Sequence, residues 1–411
     1  MTLSAGWDRY GNGLTDSFMP ISSYELETSV GQGFARFCMN DKRGNHTLSY
    51  GASAILYAMN PGHMSPFGGE SLVVERILDR EHALEPAFYA GDVWELNERF
   101  SVDGGVRLSA FAAMSPSKFY LGPEFRLSAK YSPEKFISFK AGFNSMTQYI
   151  HLISNSSSIS PMDTWKLCDA DIKPQRGWQL AGGAYASAYG GRLDFSLEGY
   201  YKSVKNFLDY KSGAVLVMNE NLADDLVTTF NRAWGVEFMV KKPSGKLSGW
   251  MAYTYSRSML REMEDRGLLT INGGGWYCAP HDKPHDFKLV SNYEITHRYS
   301  LSVNLDYSTG RPVTLPVGQY VYNGGYRLSF SERNAYRIPD YFRLDLAFNI
   351  DPGHYLKAFT HMSATIGCYN VTGRRNVYSV YYSTDGGSAP KGYMISVFAT
   401  QIPYLSLNLE F

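Results

Sequence analysis

The last eleven residues, QIPYLSLNLEF (401–411), alternate apolar and polar side chains one by one. The apolar set is Leu405, Leu407, Leu409 and Phe411, and the polar set is Ser406, Asn408 and Glu410. Because successive side chains of a β-strand point to opposite faces, this period of two predicts a strand with one apolar face. Such a strand fits a soluble sandwich with that face in a core, and equally a membrane barrel with that face on lipid.

The same alternation recurs along the chain, in LGPEFRLSAKY (121–131), RLDFSLEGYYK (192–202), YSLSVNLDY (299–307) and FRLDLAFNI (342–350). In each segment one face is apolar and the other carries charged or polar side chains. We predict that lipid contacts Leu193, Phe195, Leu197, Leu301, Val303, Leu305, Leu344, Leu346 and Phe348. We predict that the lumen, with ion pairs between neighbouring strands, is lined by Arg126, Lys130, Asp194, Glu198, Asp306, Arg343 and Asp345.

The connections between these runs alternate in length. Short connections occur at 40–45, 132–135, 188–191, 241–246 and 295–298, and long ones at 59–83, 148–177, 204–227, 258–284, 310–338 and 371–399. Short turns on one side and long loops on the other are typical of an outer-membrane barrel. The runs number about sixteen, so the sequence predicts an all-β fold, a transmembrane antiparallel β-barrel with about sixteen strands present.

Composition agrees with this interpretation. The 39 Lys and Arg balance the 39 Asp and Glu, so nucleic acid is not an indicated partner. The 31 Tyr, 23 Phe and 39 Gly favour strands and turns. No run of about 18 apolar residues occurs, which excludes a membrane-spanning helix. The four cysteines lie far apart and indicate neither a zinc site nor a disulfide framework.

Four stretches carry a family resemblance: PHDFKLVSNYEI (284–295), YSTGRPVTLP (307–316), RIPDYFRLDLAFNI (337–350) and PYLSLNLEF (403–411). They resemble the C-terminal portion of TonB-dependent outer-membrane receptors, particularly those of Bacteroidota. The resemblance implies uptake of a bulky nutrient, such as a metal chelate, cobalamin, a glycan or a peptide, across the outer membrane of a Gram-negative bacterium. It also implies that Phe411 serves as the signal for the outer-membrane assembly machinery. The other implied partners are outer-membrane lipids, the TonB complex and a surface lipoprotein.

The chain also departs from that family. A full receptor has a signal peptide, a plug domain and 22 strands, whereas a plug-like domain is not evident in this sequence. We therefore expect residues 1–411 to be the C-terminal part of a 22-stranded barrel, without plug or signal peptide. The alternative is a complete 16-stranded diffusion porin, and a soluble β-sandwich or repeat protein is a third class.

Aromatic residues in the long loops are the candidate ligand contacts, since aromatic faces give contact area at low entropic cost. These are Tyr149, Trp165, Trp276, Tyr277, Tyr320 and Tyr322. The alternative is that they belong to loop packing or to the aromatic girdle at the membrane surface.

Other motifs indicate structure more than chemistry. HDKPHD (281–286) suggests a metal site, but Pro280 before the motif and Pro284 within it favour a loop running into a strand. LTINGGGWYCAP (269–280) lacks the spacing of a phosphate-binding loop. A GxSxG motif is absent and the histidines are scattered over loops, so we predict no enzyme activity. We also predict no metal and no cofactor.

Overall fold

A computed structural model describes residues 1–114, 117–153, 164–263, 271–322, 325–351, 361–383, 391–397 and 399–410. Phe411 lies outside these residues. None of the helices in these ranges has the length and apolar character needed to cross a membrane.

The described residues form twenty-six strands. The first thirteen are β1 (Thr2–Asp16), β2 (Tyr24–Arg43), β3 (His46–Pro66), β4 (Arg76–Ile77), β5 (Glu81–Asn97), β6 (Phe100–Met114), β7 (Ser117–Glu134), β8 (Ile137–Gln148), β9 (Ile150–Ile153), β10 (Thr164–Leu167), β11 (Gln175–Ala188), β12 (Leu193–Tyr210) and β13 (Leu226–Lys242). The others are β14 (Leu247–Glu262), β15 (Tyr277–Cys278), β16 (His285–Thr296), β17 (Tyr299–Ser308), β18 (Pro312–Val313), β19 (Pro316–Tyr322), β20 (Gly325–Phe330), β21 (Tyr336–Arg337), β22 (Tyr341–Ile350), β23 (His361–Tyr369), β24 (Val377–Ser383), β25 (Lys391–Ser396) and β26 (Ile402–Glu410). Three short helices accompany them: α1 (Leu222–Asp225) and the 3₁₀ turns Pro20–Ser22 and Asn272–Gly274.

Sixteen long strands form one antiparallel sheet in which each pairs with the next along the chain. Their order is β1, β2, β3, β5, β6, β7, β8, β11, β12, β13, β14, β16, β17, β22, β23 and β26, and the two-residue strands β4 and β15 extend it. The prediction of a large all-β antiparallel sheet is confirmed. Among the described residues β1 pairs only with β2 and β26 only with β23, so the sheet is not closed. A total of 22 strands stays a prediction.

The pairing register aligns the apolar faces of neighbouring strands. Leu305 lies between Leu289 and Leu344. On the opposite face Asp306 lies between Lys288 and Arg343. A one-residue slip would exchange the two faces, so the apolar pattern specifies this register. We call the two sides of the sheet the apolar face and the polar face.

Contacts between distant strands show that the sheet curves with its polar face inside. The ring of Tyr10 in β1 lies 6.4 Å from the ring of Trp165 in β10. Leu26 in β2 is buried together with Met218 from the β12–β13 connection. Several strands separate these elements within the sheet, so a flat sheet could not bring them together. The long connections therefore fold over the concave polar face.

Ion pairs on the polar face follow two patterns. Arg126 in β7 pairs with Asp103 in the neighbouring strand β6, at 3.4 Å, which confirms the predicted pairing between strands. Arg343 instead pairs with Asp345, two residues along the same strand, at 2.8 Å. Side chains two residues apart share a face of a strand, so both arrangements leave the charges inside.

Several strands extend further than the alternation predicts. Strand β3 continues to Pro66 and β12 to Tyr210, within the connections expected at 59–83 and 204–227. Beyond the apolar band the side chains lose their alternation, but ladder hydrogen bonds still satisfy the backbone. Strand β5 begins at Glu81, and its pairing with β6 is interrupted between Leu84 and Ala87, around Pro86, which has no N–H to donate.

Candidate functional site

A hairpin within the long connection after β8 positions the first candidate residues. Strands β9 and β10 pair Trp165 with Leu152 and Lys166 with His151. The backbone N–H of Cys168 donates to the carbonyl oxygen of Tyr149 at 2.9 Å and extends the pairing by one step. The hairpin is therefore a small sheet of its own, lying against the polar face of the large one.

Buried side chains hold this hairpin against the barrel wall. Tyr149 is 2% exposed and stacks on Phe111 with ring centroids 4.8 Å apart. Its hydroxyl is hydrogen-bonded to the Ser109 hydroxyl at 2.9 Å. Both the ring and the hydroxyl of Tyr149 are therefore engaged in packing in this structure.

His151 is fully buried beside this cluster. The side-chain amide of Gln175 donates to its Nδ1 at 3.0 Å, so Nε2 carries the proton and donates to the Cys168 sulfur at 3.3 Å. Burial lowers the pKa of His151 to about 4 and raises the pKa of the Cys168 thiol. Both side chains are neutral at ordinary pH.

Lys166 connects the hairpin to strand β5. Its Nζ donates to Glu81 Oε1 at 2.6 Å and to Asp169 Oδ2 at 2.8 Å. Burial opposes the charge of Lys166, but the two carboxylates outweigh it and raise its pKa. The backbone N–H of Leu167 donates to the second oxygen of Glu81 at 3.1 Å. The hairpin is thus held at a fixed place on the wall.

A cavity of about 690 Å³ opens between this hairpin, the β3–β5 connection and the β12–β13 connection. Trp165 supplies aromatic surface to its wall. Arg76 and Glu220, at 3.3 Å, join the two connections that flank it. Its wall holds more carboxylates than cations: Asp79, Glu81, Asp169, Asp171, Glu220 and Asp224 against Arg80 and Lys166.

Trp276 directly precedes the strand extension β15 and Tyr277 is its first residue, and the two side chains lie on opposite sides of the sheet. Tyr277 is 3% exposed and donates to Asp209 Oδ2 at 2.6 Å. Burial beside this carboxylate raises the pKa of Tyr277. Trp276 lies on the apolar side, where the guanidinium groups of Arg232 and Arg261 cover its ring at 4.7 and 5.3 Å. The two neighbouring aromatics therefore cannot contact the same ligand.

The third aromatic group lies in the hairpin of β19 and β20. Tyr320 is 53% exposed there, and the side chain of Tyr322 lies outside the described part of the chain. The structure thus brings Tyr149 and Trp165 into one cluster and places Trp276 on the other side of the sheet. Ligand binding by these six residues stays a prediction.

The motif HDKPHD has a structural role that the sequence did not specify. The side chain of Asp282 is fully buried and pairs with both Arg257 and Arg337. Arg337 also donates to the carbonyl oxygen of Gly310 at 2.9 Å, and the Gly310 N–H donates to Asp340 at 2.9 Å. These bonds join the stretches 307–316 and 337–350 to each other and to Asp282, two residues before the stretch that begins at Pro284.

The sequence matches the family described as TonB dependent receptor-like, beta-barrel, over residues 5–371. The chain belongs to this family. Among curated proteins, none matches. The family is one of receptors of the Gram-negative outer membrane, and this chain is an outer-membrane barrel protein. The predicted family and location are therefore confirmed, whereas the Bacteroidota type stays a prediction.

Solved structures of outer-membrane receptors and transporters have a fold similar to that of this chain. The copper transporter OprC superposes with a TM-score of 0.65 at 12% identity, over all of this chain and 62% of that one. The pyoverdine outer membrane receptor FpvA from Pseudomonas aeruginosa PAO1 gives 0.62 at 13%, over all of this chain and 58% of that one. The ferric yersiniabactin uptake receptor FyuA from Yersinia pestis gives 0.61 at 14%, over all of this chain and 58% of that one. The chain spans about three fifths of these proteins, and the likeness shows the fold.

Apart from Trp165, the sequence missed the residues that line and flank the cavity. Glu81 and Lys166 are 85 positions apart, and Arg76 and Glu220 are 144 apart. Each is an ordinary charged residue in a polar connection, so a local pattern contains no sign of the pairing.

Proposed function

We propose that this chain forms barrel wall and surface loops of a TonB-dependent receptor that imports a bulky nutrient. The observation that supports this best is the cavity of about 690 Å³ at the loop end of the curved sheet, with Trp165 in its wall. A volume of this size suits a compact organic ligand. Cargo would contact this cavity before it enters the barrel.

The cargo classes are a metal chelate, cobalamin, a glycan or a peptide. Metal chelates come first, because the similar structures are named as a pyoverdine receptor, a ferric yersiniabactin uptake receptor and a copper transporter. The implied partners are outer-membrane lipids around the apolar face and the TonB complex, which would act through a part of the receptor outside this chain. The assembly machinery and a surface lipoprotein are further proposed partners.

Growth of the source organism tests this function. Cells carrying the full-length receptor gene should grow when one of the four cargo classes is the limiting nutrient, and they should lose that growth when TonB is deleted. Trp165→Ala should raise the cargo concentration that gives half-maximal growth by about tenfold, since aromatic contact area is lost. Trp94→Ala, a tryptophan near the tight-turn end, is the matched control and should leave it unchanged.

A diffusion porin is the second candidate, because the sheet has sixteen long strands. Closure as a porin would require β1 and β26 to pair, and among the described residues each has a single neighbour. Planar-bilayer recordings separate the two functions. The proposed receptor should show no steady conductance when full-length protein is inserted, whereas a constant open-channel current would support the porin.

A further inference from the structure

Four basic side chains lie side by side on the apolar face, near the loop ends of β11 to β14. They are Arg176, Lys205, Arg232 and Arg261, and all four are exposed. Arg176 is directly opposite Lys205 in the register. Arg232 is opposite Ser203 on one side and Met259 on the other, and Arg261 is opposite Phe230. We call these four residues the basic collar.

Strand alternation fixes the side of the sheet on which the collar lies. Arg176 is two residues from Trp178, and Arg232 is two residues from Trp234, so each shares a face with that tryptophan. Trp178 and Trp234 are 41% and 38% exposed on the apolar face. The collar therefore faces outward and not toward the lumen.

An aromatic row lies next to the collar on the side of the tight turns. Trp178 contacts Tyr201 at 5.5 Å between ring centroids, Tyr201 is opposite Trp234, and Tyr255 follows in β14. Tryptophan and tyrosine girdles mark the membrane–water interfaces of such barrels, and long loops mark the cell-surface side. The collar is thus at the depth of the head groups of the outer leaflet.

The positive charges of the collar are not neutralised by any of the described residues. Within the described part of the chain none of the four has a carboxylate within 4.0 Å. Arg257 lies on the same face but differs, because it pairs with the buried Asp282. Arg176 donates to a neutral partner, the carbonyl oxygen of Leu121, at 2.8 Å. As far as the described residues extend, the collar therefore presents four positive charges to the surroundings of the barrel.

Trp276 holds two members of the collar in place. Its ring is covered by the guanidinium carbons of Arg232 at 4.7 Å and Arg261 at 5.3 Å. Stacking of this kind restricts long side chains before any ligand arrives, which reduces the entropy lost on binding. Neither guanidinium group forms an ion pair with the described residues, so both can donate to an anion.

We propose that the basic collar binds the phosphate groups of a glycolipid in the outer leaflet. Guanidinium groups donate paired hydrogen bonds to phosphate oxygens, and a lysine adds a point charge. A lipid satisfies both halves of this surface, because its acyl chains cover the apolar face below the aromatic row while its phosphates meet the collar. Free phosphate would satisfy only the collar.

Binding of lipid A by the full-length receptor in uncharged detergent tests the proposal. The probes are lipid A with its phosphates, the same lipid A after enzymatic removal of the phosphates, and inorganic phosphate, with bound lipid counted by native mass spectrometry. Phosphorylated lipid A should bind at least tenfold more tightly than the dephosphorylated form. Millimolar inorganic phosphate should not displace it, since it lacks the apolar part.

Charge-removing variants locate the site. Replacing all four collar residues with Gln should weaken binding of phosphorylated lipid A by at least tenfold. The matched control replaces Lys135, Arg192, Lys242 and Lys246, at the tight-turn end, with Gln and should bind as the wild type does. If the fourfold collar variant fails to assemble, the Arg232→Gln, Arg261→Gln pair replaces it, with a loss of at least threefold expected.

Three results would overturn the proposal. The first is equal binding of the two forms of lipid A. The second is displacement of the lipid by inorganic phosphate, which would identify a free-anion site. The third is an equal loss in the collar and control variants, which would indicate attraction by net charge alone.

Discussion

Gly310 is a residue at which backbone atoms approach too closely for any side chain. A Cβ built at this position would overlap the carbonyl oxygen of Ile338. We expect Gly310→Ala to separate the paired strands β18 and β21 and to destabilise the protein by about 1–3 kcal/mol. Thermal unfolding of the purified protein in detergent measures this. Gly69→Ala is the control, since open space surrounds Gly69, and equal melting temperatures for both variants would contradict the expectation.

Leu305 tests which face of the sheet contacts lipid. It lies between Leu289 and Leu344 on the apolar face, and its neighbour Asn304 lies on the polar face. Leu305→Arg should lower the free energy of unfolding by about 2–4 kcal/mol if the site is near the bilayer midplane, because a charge then enters hydrocarbon. Denaturant unfolding from lipid vesicles provides the measurement. Asn304→Arg should lower the free energy of unfolding much less. A larger loss for Asn304→Arg than for Leu305→Arg would place the lipid on the other face.

At the scale of elements, the hairpin of β9 and β10 is the part whose stability should depend on pH. The pKa of buried His151 is lowered to about 4, whereas that of an unfolded histidine is about 6.5. As pH falls, the imidazole of His151 therefore binds a proton at a higher pH in the unfolded hairpin than in the folded one. Stability is complete above about pH 6.5 and decreases between about pH 6.5 and 4, by at most about 3 kcal/mol for the hairpin.

Hydrogen exchange of the hairpin amides, corrected for intrinsic rates, measures this dependence. Exchange should accelerate relative to β13 as pH falls through that window. The His151→Gln side chain does not titrate there, so the protection of this variant should change less with pH than that of the wild type. Some dependence should remain, because burial raises the pKa of Glu81, which binds the hairpin through Lys166. A wild-type hairpin with constant protection from pH 7 to 4 would show that His151 does not control it.

The elements differ in how far the sequence predicts them. The sixteen long strands could be counted from the sequence, because a strand with one face on lipid favours alternation of apolar and polar side chains. The strand around Pro86 is the weakest case, since its side chains alternate poorly. The hairpin of β9 and β10 was not, since its residues do not alternate and its stability comes from partners far away in sequence. The same holds for the contact of Trp165 with Tyr10, which exists only because the sheet curves.

At the scale of the whole molecule, that curvature can be tested by photocrosslinking. A benzophenone amino acid in place of Tyr10 should label peptides containing residues 164–167, because the rings of Tyr10 and Trp165 are 6.4 Å apart. Trp7 lies on the other face of β1, and the same probe there should not label them. Labelling from both positions, or from neither, would contradict a sheet that curves with its polar face inside.

The strands differ greatly in length, and the length of a strand determines how far it rises above the membrane. Strand β3 has 21 residues and β26 has nine. At about 3.3 Å per residue and a tilt of about 45°, they rise about 50 Å and about 20 Å, against an apolar band about 25 Å tall. The barrel rim therefore slopes, low beside β26 and high beside β3. The cavity near Trp165 lies by the high side, so cargo meets it well above the membrane plane.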